Sequence, residues 1–198
     1  AQLGITVTAY TKSIGDVEID YNKFNINNRD ENPVAMPDME SAAKAQELLD
    51  EKMKETDSVG GVVECVVDGM IKGVGEPVFE KLDANLAKAV MSIGAVKGVE
   101  IGAGFEAAKK SGSQNNDSFY AAENGAILKK TNNAGGILGG ISDGDKIILR
   151  AAFKPTPSIF KEQMTVNKNH QDININIKGR HDPIIVPRAV VVVEAMTA

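Results

Sequence analysis

GGVVECVVDGMIKGVGEPVFEKLDANLAKAVMSIGAVKGVEIG, residues 60–102, changes its hydrophobic period twice within 43 positions. Val59 to Met70 is β-branched and apolar over the length of a strand, entered through Gly60-Gly61. Gly73-Val74-Gly75-Glu76-Pro77 turns the chain. From Phe79 to Met91 the spacing becomes helical, with Leu82, Leu86, Ala89 and Val90 on one face. Val96 to Ile101 then returns to a short strand.

The flanks extend this mixture. On the N-terminal side, Gly4 to Tyr10 alternates as a strand, and Tyr21 to Pro37 is an Asn-, Asp- and Pro-rich loop. Asp38 or Ser41 can cap a helix running to about Glu55, with Ala42, Ala45, Leu48, Leu49 and Met53 at helical spacing. On the C-terminal side, Gly112 to Gly125 is a polar loop and Lys146 to Phe153 a strand. Lys168 to Lys178 alternates, with Ile173, Ile175 and Ile177 on one face. An apolar stretch from Pro187 leads into a helix at Glu194. No internal repeat is visible. Strands and helices joined by short connections predict an α+β fold with mainly antiparallel sheets, not a doubly wound parallel sheet.

Composition bounds the function. The 198 residues suit one domain, or two small lobes sharing a core, and a single domain over 1–198 is expected. Net charge is −5 with only four arginines, Arg29, Arg150, Arg180 and Arg188, and no basic block carries interleaved aromatics; nucleic acid is not an expected partner. Cys65, the single cysteine, sits in an apolar run and reads as a small buried hydrophobe. One cysteine and two histidines are too few for an ordinary zinc site, so no metal is expected. Ala1 to Tyr10 has no signal-peptide pattern, and the longest apolar runs, such as Ala189 to Val193, are far short of the roughly 20 residues a spanning helix needs. A cytoplasmic setting without a membrane is the expectation. The chain starts inside an apparent strand, so its natural beginning is expected to lie elsewhere.

Four segments could carry chemistry. Met91 to Glu100 joins a helix end to a glycine-punctuated strand; it is either a helix cap with a turn or a place where a flat ligand approaches the backbone. Asn132-Asn133-Ala134-Gly135-Gly136-Ile137-Leu138-Gly139-Gly140 has neither P-loop nor dinucleotide-fold order. It is either a flexible linker or a row of N–H groups offered to an anion or ring edge. Phe153-Lys154-Pro155-Thr156-Pro157-Ser158 is stiffened by two prolines and displays a cation and two hydroxyls. It suits a phosphate or a ring edge, or it is a rigid surface turn. Gly179-Arg180-His181-Asp182-Pro183 places Arg180 and Asp182 on the same side of an extended chain, as an ion pair or as an anion holder beside a proton-relay carboxylate. His170 lies in a polar stretch and is expected to face solvent.

Together these segments resemble chorismate synthase. The resemblance rests on residues 60–102, on GSQNND (Gly112 to Asp117), NNAGGILGGISDG (Asn132 to Gly144), FKPTPSI (Phe153 to Ile159) and GRHDP (Gly179 to Pro183), all in the family's order. It implies an α+β sandwich, with helices packed between antiparallel sheets, of which this chain is part. It implies a cytoplasmic lyase of the shikimate pathway and aromatic amino-acid biosynthesis, a flavoprotein and homotetramer. That enzyme converts 5-enolpyruvylshikimate 3-phosphate to chorismate and phosphate by anti-1,4-elimination, using reduced FMN, with NADPH as a possible reductant of the flavin. The family's FMN contacts fall on Gly94, Ala95, Gly139, Lys154, Pro155, Thr156, Pro157, Ser158 and Arg180. The family often has Asn where Gly94 stands, so a backbone contact carries over there and a side-chain contact does not. Asp182 matches the carboxylate assigned to proton transfer with the flavin. The family's GESHG-type histidine, a second histidine, several substrate-binding arginines and a GRSSARET-like segment have no counterpart here. The expectation is a fragment, the C-terminal two-thirds of the enzyme, inactive by itself. A non-catalytic structural or assembly module that keeps the fold is the alternative.

Overall fold

The computed structural model describes residues 3–123, 125–179 and 182–198. Eleven strands and four α-helices follow in chain order: β1 (Thr6–Ile14), β2 (Val17–Glu18), α1 (Met39–Lys54), β3 (Gly61–Asp68), α2 (Leu82–Met91), β4 (Val96–Ile101), α3 (Gly112–Asn115), β5 (Phe119–Ala121), β6 (Ile127–Lys129), β7 (Ile137–Leu138), β8 (Ile141–Ser142), β9 (Ile147–Phe153), β10 (Glu162–Val166), β11 (Asp172–Asn176) and α4 (Val186–Thr197). Five strands form one sheet in the order β2-β1-β3-β9-β4, and three two-stranded ribbons pair β5 with β6, β7 with β8 and β10 with β11. All three ribbons are antiparallel, as is β1 with β2. Gly15 N–H bonds the Gly60 carbonyl at one end of β1 and β3, while Gly4 lies against Gly69 at the other, so these neighbours also run in opposite directions. The fold is α+β with antiparallel sheets, as the sequence predicts.

The chain divides into two compact units. The first comprises residues 1–9, 64–151 and 191–198, the second residues 10–63 and 152–190.

In the first unit, Cys65, Val67, Leu86, Val90, Val96, Ile137, Ile147, Leu149 and Ala151 are buried. The period-2 burial of Ile147, Leu149 and Ala151 puts one face of β9 inward. Helix α2 packs on β4 and on β8. A polar network lies within this unit. Glu64, almost fully buried, accepts from Arg150 Nε at 2.8 Å; the same guanidinium reaches Glu100 at 3.1 Å and the Gly102 carbonyl at 2.8 Å. A buried carboxylate persists only when its charge is met in this way.

In the second unit, α1 starts at Asp38. The Asp38 carboxylate accepts from Glu40 N–H at 3.0 Å, from Ser41 Oγ at 2.7 Å and from Asp20 N–H at 3.1 Å. That is an N-cap which also ties the helix to the β2 strand end. Ser41, Ala42, Ala45 and Leu49 form the buried stripe of α1. The Asn-rich stretch before it holds only two short 3-10 turns, Tyr21–Lys23 and Ile26–Glu31.

One expectation needs correction. Helix α4 begins at Val186, not at Glu194. Val186, Ala189, Val190 and Val193 are its buried positions, spaced i, i+3, i+4, i+7; the run of four valines hid that period behind a strand-like composition. Pro187 falls in the first turn, where its missing N–H costs nothing. Strand β10, a segment to which the sequence reading assigns no element, pairs with β11, Gln163 opposite Ile175 and Thr165 opposite Ile173. Ile173 and Ile175 share one face as expected, but the ribbon is exposed. No described helix is long and apolar enough to cross a membrane.

Candidate functional site

Gly94 and Ala95 follow the end of α2. Ser92 closes the helix, its N–H and its hydroxyl both donating to the Ala89 carbonyl, at 3.2 and 2.6 Å. Ile93 N–H continues to the Val90 carbonyl and Val96 N–H to that of Ile93. Ala95 is therefore forced into the left-handed region, at φ 72°, where a non-glycine residue carries strain of order 1 kcal/mol. Gly94 is exposed, and nothing lies within 4 Å of the position a Cβ would occupy. The segment is a helix cap with a turn, and it also leaves a bare stretch of backbone.

Gly139 sits in the same unit, at the tip of the β7–β8 ribbon. It has φ 61° and open space where a Cβ would project. The segment leading to it is not a loose linker. Asp117 Oδ1 accepts from Asn133 N–H at 2.7 Å and from Thr131 Oγ1 at 2.6 Å, and its Oδ2 accepts from Ala134 N–H at 2.9 Å. Burial acts to raise the pKa of Asp117, but these hydrogen bonds outweigh it and the net shift is downward. Asn132 Oδ1 accepts from Gly136 N–H at 2.9 Å, and its amide donates to the Lys146 carbonyl at 2.8 Å. Lys129, with a side chain 4% exposed, lies between Asp143 at 2.7 Å and Asp145 at 2.9 Å. Beyond the tip, the Gly140 carbonyl accepts from Leu82 N–H, and the buried Ser142 hydroxyl donates to the Ile71 carbonyl at 2.6 Å and accepts from Val74 N–H at 2.9 Å. The glycine ribbon is held on both sides, and Gly139 is the exposed point between the anchors.

In the second unit, Lys154 to Ser158 leaves the end of β9. Pro155 lies against Gly60, where a Cβ would meet its Cδ at 3.2 Å. Ser58 Oγ donates to the Thr156 carbonyl at 2.7 Å. The Thr156 hydroxyl is buried and has no hydrogen-bond partner among the described residues. An unmet buried hydroxyl is uncommon enough to need an explanation. Lys154 is exposed, and among the described residues it has no ion-pair partner. Two contacts hold the chain just beyond Ser158: Thr56 Oγ1 donates to the Phe160 carbonyl at 3.0 Å, and Lys161 pairs with Asp57 at 2.7 Å. The Lys161 ammonium, with Ser58 N–H, holds the Asp57 carboxyl below its usual pKa.

These contacts bound a concavity of about 200 Å³ lined by Met53, Asp57, Ser58, Phe160, Gly179 and Asp182 among others, all of the second unit. Asp182 thus stands at a cavity wall. Its carboxylate also meets Arg188, Nη1 to Oδ2 at 2.7 Å, across an exposed pair. Arg180 lies outside the described residues. The Lys154–Ser158 segment and Asp182 therefore belong to one unit, and Gly94, Ala95 and Gly139 to the other.

Thr56, Asp57 and Ser58 line the concavity without a motif to announce them. They come after a helix and before a strand, and only their pairing with residues about 100 positions later gives them a role. Cys65 is fully buried, and burial pushes its thiol up to about 11, so it is an inert core residue. His170 is exposed, as expected. Among the described residues no three His, Cys, Asp or Glu side chains stand together as metal ligands.

The sequence matches the family model described as "Chorismate synthase" over residues 1–198. It is 63% identical over 197 residues to the chorismate synthase of Lachnospira eligens and 61% identical over 197 residues to that of Lachnoclostridium phytofermentans, in each case across 100% of this chain and 54% of the relative. The Synechocystis chorismate synthase is 48% identical across 98% of this chain and 54% of its own length. A solved structure titled "Crystal Structure of Chorismate Synthase" superposes with a TM-score of 0.79 at 30% identity, covering 98% of this chain and 55% of that one. The chain spans about half the length of the curated relatives it matches.

Proposed function

Since this chain belongs to the chorismate synthase family, we propose that it supplies one wall of a reduced-FMN and substrate cleft in an enzyme that converts 5-enolpyruvylshikimate 3-phosphate to chorismate and phosphate. The observation that carries this is the family match across all 198 residues, which includes every segment with candidate site residues. The chain is read as one domain of a longer sandwich, in a cytoplasmic homotetramer.

The residues fit a flavin mononucleotide. Thr156 belongs to the stiff two-proline segment beside the concavity, held there by Ser58 Oγ on its carbonyl. Lys154 offers a cation not used by any described carboxylate. Gly94 and Gly139 leave open space where side chains would otherwise block a flat ring. We assign Gly94, Ala95 and Gly139 to backbone contacts, Lys154 and Arg180 to charge, and Pro155, Thr156, Pro157 and Ser158 to the ring or phosphate edge.

When bound, reduced flavin supplies electron density for the departure of phosphate, with no net redox change. The elimination breaks a carbon–oxygen bond to phosphate and removes a proton from carbon at the other end of the new diene. Asp182 is the carboxylate we place in that proton's path, at the edge of its concavity. Lys154 and Arg180 orient anionic groups.

The isolated chain is proposed to be inactive. Substrate and FMN together bring two carboxylates and two phosphates, which call for a strongly cationic site. Of the four arginines, Arg29 is paired with Asp30, Arg150 with Glu64 and Glu100, and Arg188 with Asp182. On this reading the remaining cations come from outside this chain. Anaerobic assay with reduced FMN and 5-enolpyruvylshikimate 3-phosphate tests both statements: chorismate forms with the intact natural protein and not with residues 1–198. Turnover by the short chain at the intact protein's rate overturns the assignment of missing cations. No turnover by either overturns the function.

A further inference from the structure

We propose that Asp117 is a positioning residue for the flavin site, holding the glycine ribbon so that Gly139 presents its backbone at a fixed place; this rests on the flavin reading above. The carboxylate comes from GSQNND, a polar segment given no role so far. It accepts three hydrogen bonds, from Thr131 Oγ1, Asn133 N–H and Ala134 N–H, across 14 to 17 positions of sequence. Two of the three are consecutive backbone donors, met by the two carboxylate oxygens, Oδ1 for Asn133 and Oδ2 for Ala134.

The consequence passes down the chain. Gly135 and Gly136 come next, at φ 64° and 79°, conformations with no side chain to enforce them. They pack closely: a Cβ at Gly136 would lie 2.7 Å from the Lys146 carbonyl oxygen. Ile137 and Leu138 then pair in register with Ser142 and Ile141, and the turn between them is Gly139-Gly140. The far side is tied through Gly140 to Leu82 and through Ser142 to Ile71 and Val74. A ribbon with four glycines in nine residues has high conformational entropy when free. Asp117 is one anchor at its entry, beside Asn132, which holds Gly136 N–H and the Lys146 carbonyl. Gly139 has open space at its Cβ position, so its place is set through the backbone on either side of it, by the entry anchors and by the Gly140–Leu82 bond.

The test uses the intact natural protein with Asp117→Ala, Asp117→Asn and, as a reference for the flavin reading, Lys154→Ala. FMN is titrated well below each variant's unfolding transition, and amide exchange is followed at residues 131–140. Asp117→Ala is expected to raise exchange there and to weaken FMN about tenfold, the scale of losing charge-assisted hydrogen bonds that preorganise a site. Asp117→Asn is expected to fall between, since its amide oxygen still accepts from Asn133 while its NH₂ faces the Ala134 N–H. If Asp117→Ala does not fold, the Asn variant decides the question. A merely structural role would lower the melting temperature and leave FMN affinity unchanged, and that result overturns the inference. Should Lys154→Ala also leave FMN affinity unchanged, the flavin reading itself falls and this inference with it. Weakening by Lys154→Ala without weakening in a loosened Asp117 variant removes the positioning role alone.

Discussion

Asp182 and Arg188, six residues apart, face each other with Nη1 2.7 Å from Oδ2, and the arginine side chain is 76% exposed. A pair so open to water and salt contributes little to folding, within about 1 kcal/mol. Arg188→Gln is therefore expected to leave the denaturant midpoint almost unchanged. Asp182→Asn in the intact protein is expected to lower kcat at least about 100-fold, as loss of a proton-transfer group does, while FMN affinity holds. A stable Asp182→Asn enzyme with normal kcat would show that the carboxylate is only the arginine's partner.

Arg150 is the opposite case. Its removal strands Glu64, which is 3% exposed. Arg150→Met is expected to destabilise the protein by about 3–5 kcal/mol, the cost of a buried carboxylate without its cation. Adding Glu64→Gln should recover a large part, because the stranded charge goes. Equilibrium unfolding of the two variants checks this; equal instability in both would mean that packing, not charge, is what Arg150 provides.

The Asp117 anchor should respond to acid. Its pKa in the fold is lowered from 3.8. A depressed carboxylate contributes stability that is present above the unfolded value and lost as pH falls through the folded one. Amides of Asn133 and Ala134 are thus expected to stay protected at about pH 5 and to loosen only below 3.8, whereas Asp117→Asn shows no such acid step. Loosening between about pH 5 and 7 would contradict the assignment.

Cys65 should resist modification. Burial is the main cause of its raised pKa, about 11 against 9.0, partly offset by the Thr197 hydroxyl. Iodoacetamide at about pH 8 is expected to leave the folded protein unlabelled and to label it fully in urea. The raised value also means that this residue's contribution to stability is complete below 9.0 and disappears as pH rises to about 11. Rapid labelling of the native protein would show that the β3 face is open.

Much of the fold was legible because local pattern and tertiary need agree. Asp38 caps α1, Ala42, Ala45 and Leu49 line its buried stripe, and the apolar run of β9 marks a strand whose burial alternates. Legibility failed where a partner decides. Glu162–Val166 is too short to stand out and pairs with β11, and Val190–Val193 fits a strand in composition but a helix in spacing. At the site, the segments themselves could be picked out by glycine and proline, whose backbone effects are local. The contacts that fix them could not. Asp117 reaching Asn133, and Ser58 reaching Thr156, are long-range hydrogen bonds with no sequence period behind them.

The central claim is that this chain carries part of a reduced-flavin elimination site. Its most direct test is anaerobic conversion of 5-enolpyruvylshikimate 3-phosphate by the intact natural protein, with reduced FMN, comparing unaltered Lys154 and Asp182 with Lys154→Ala and Asp182→Asn. The account predicts chorismate and phosphate in equal amounts from the unaltered protein, weakened FMN binding with Lys154→Ala, and at least about 100-fold lower kcat with Asp182→Asn. Undiminished turnover and flavin affinity in both variants would contradict it.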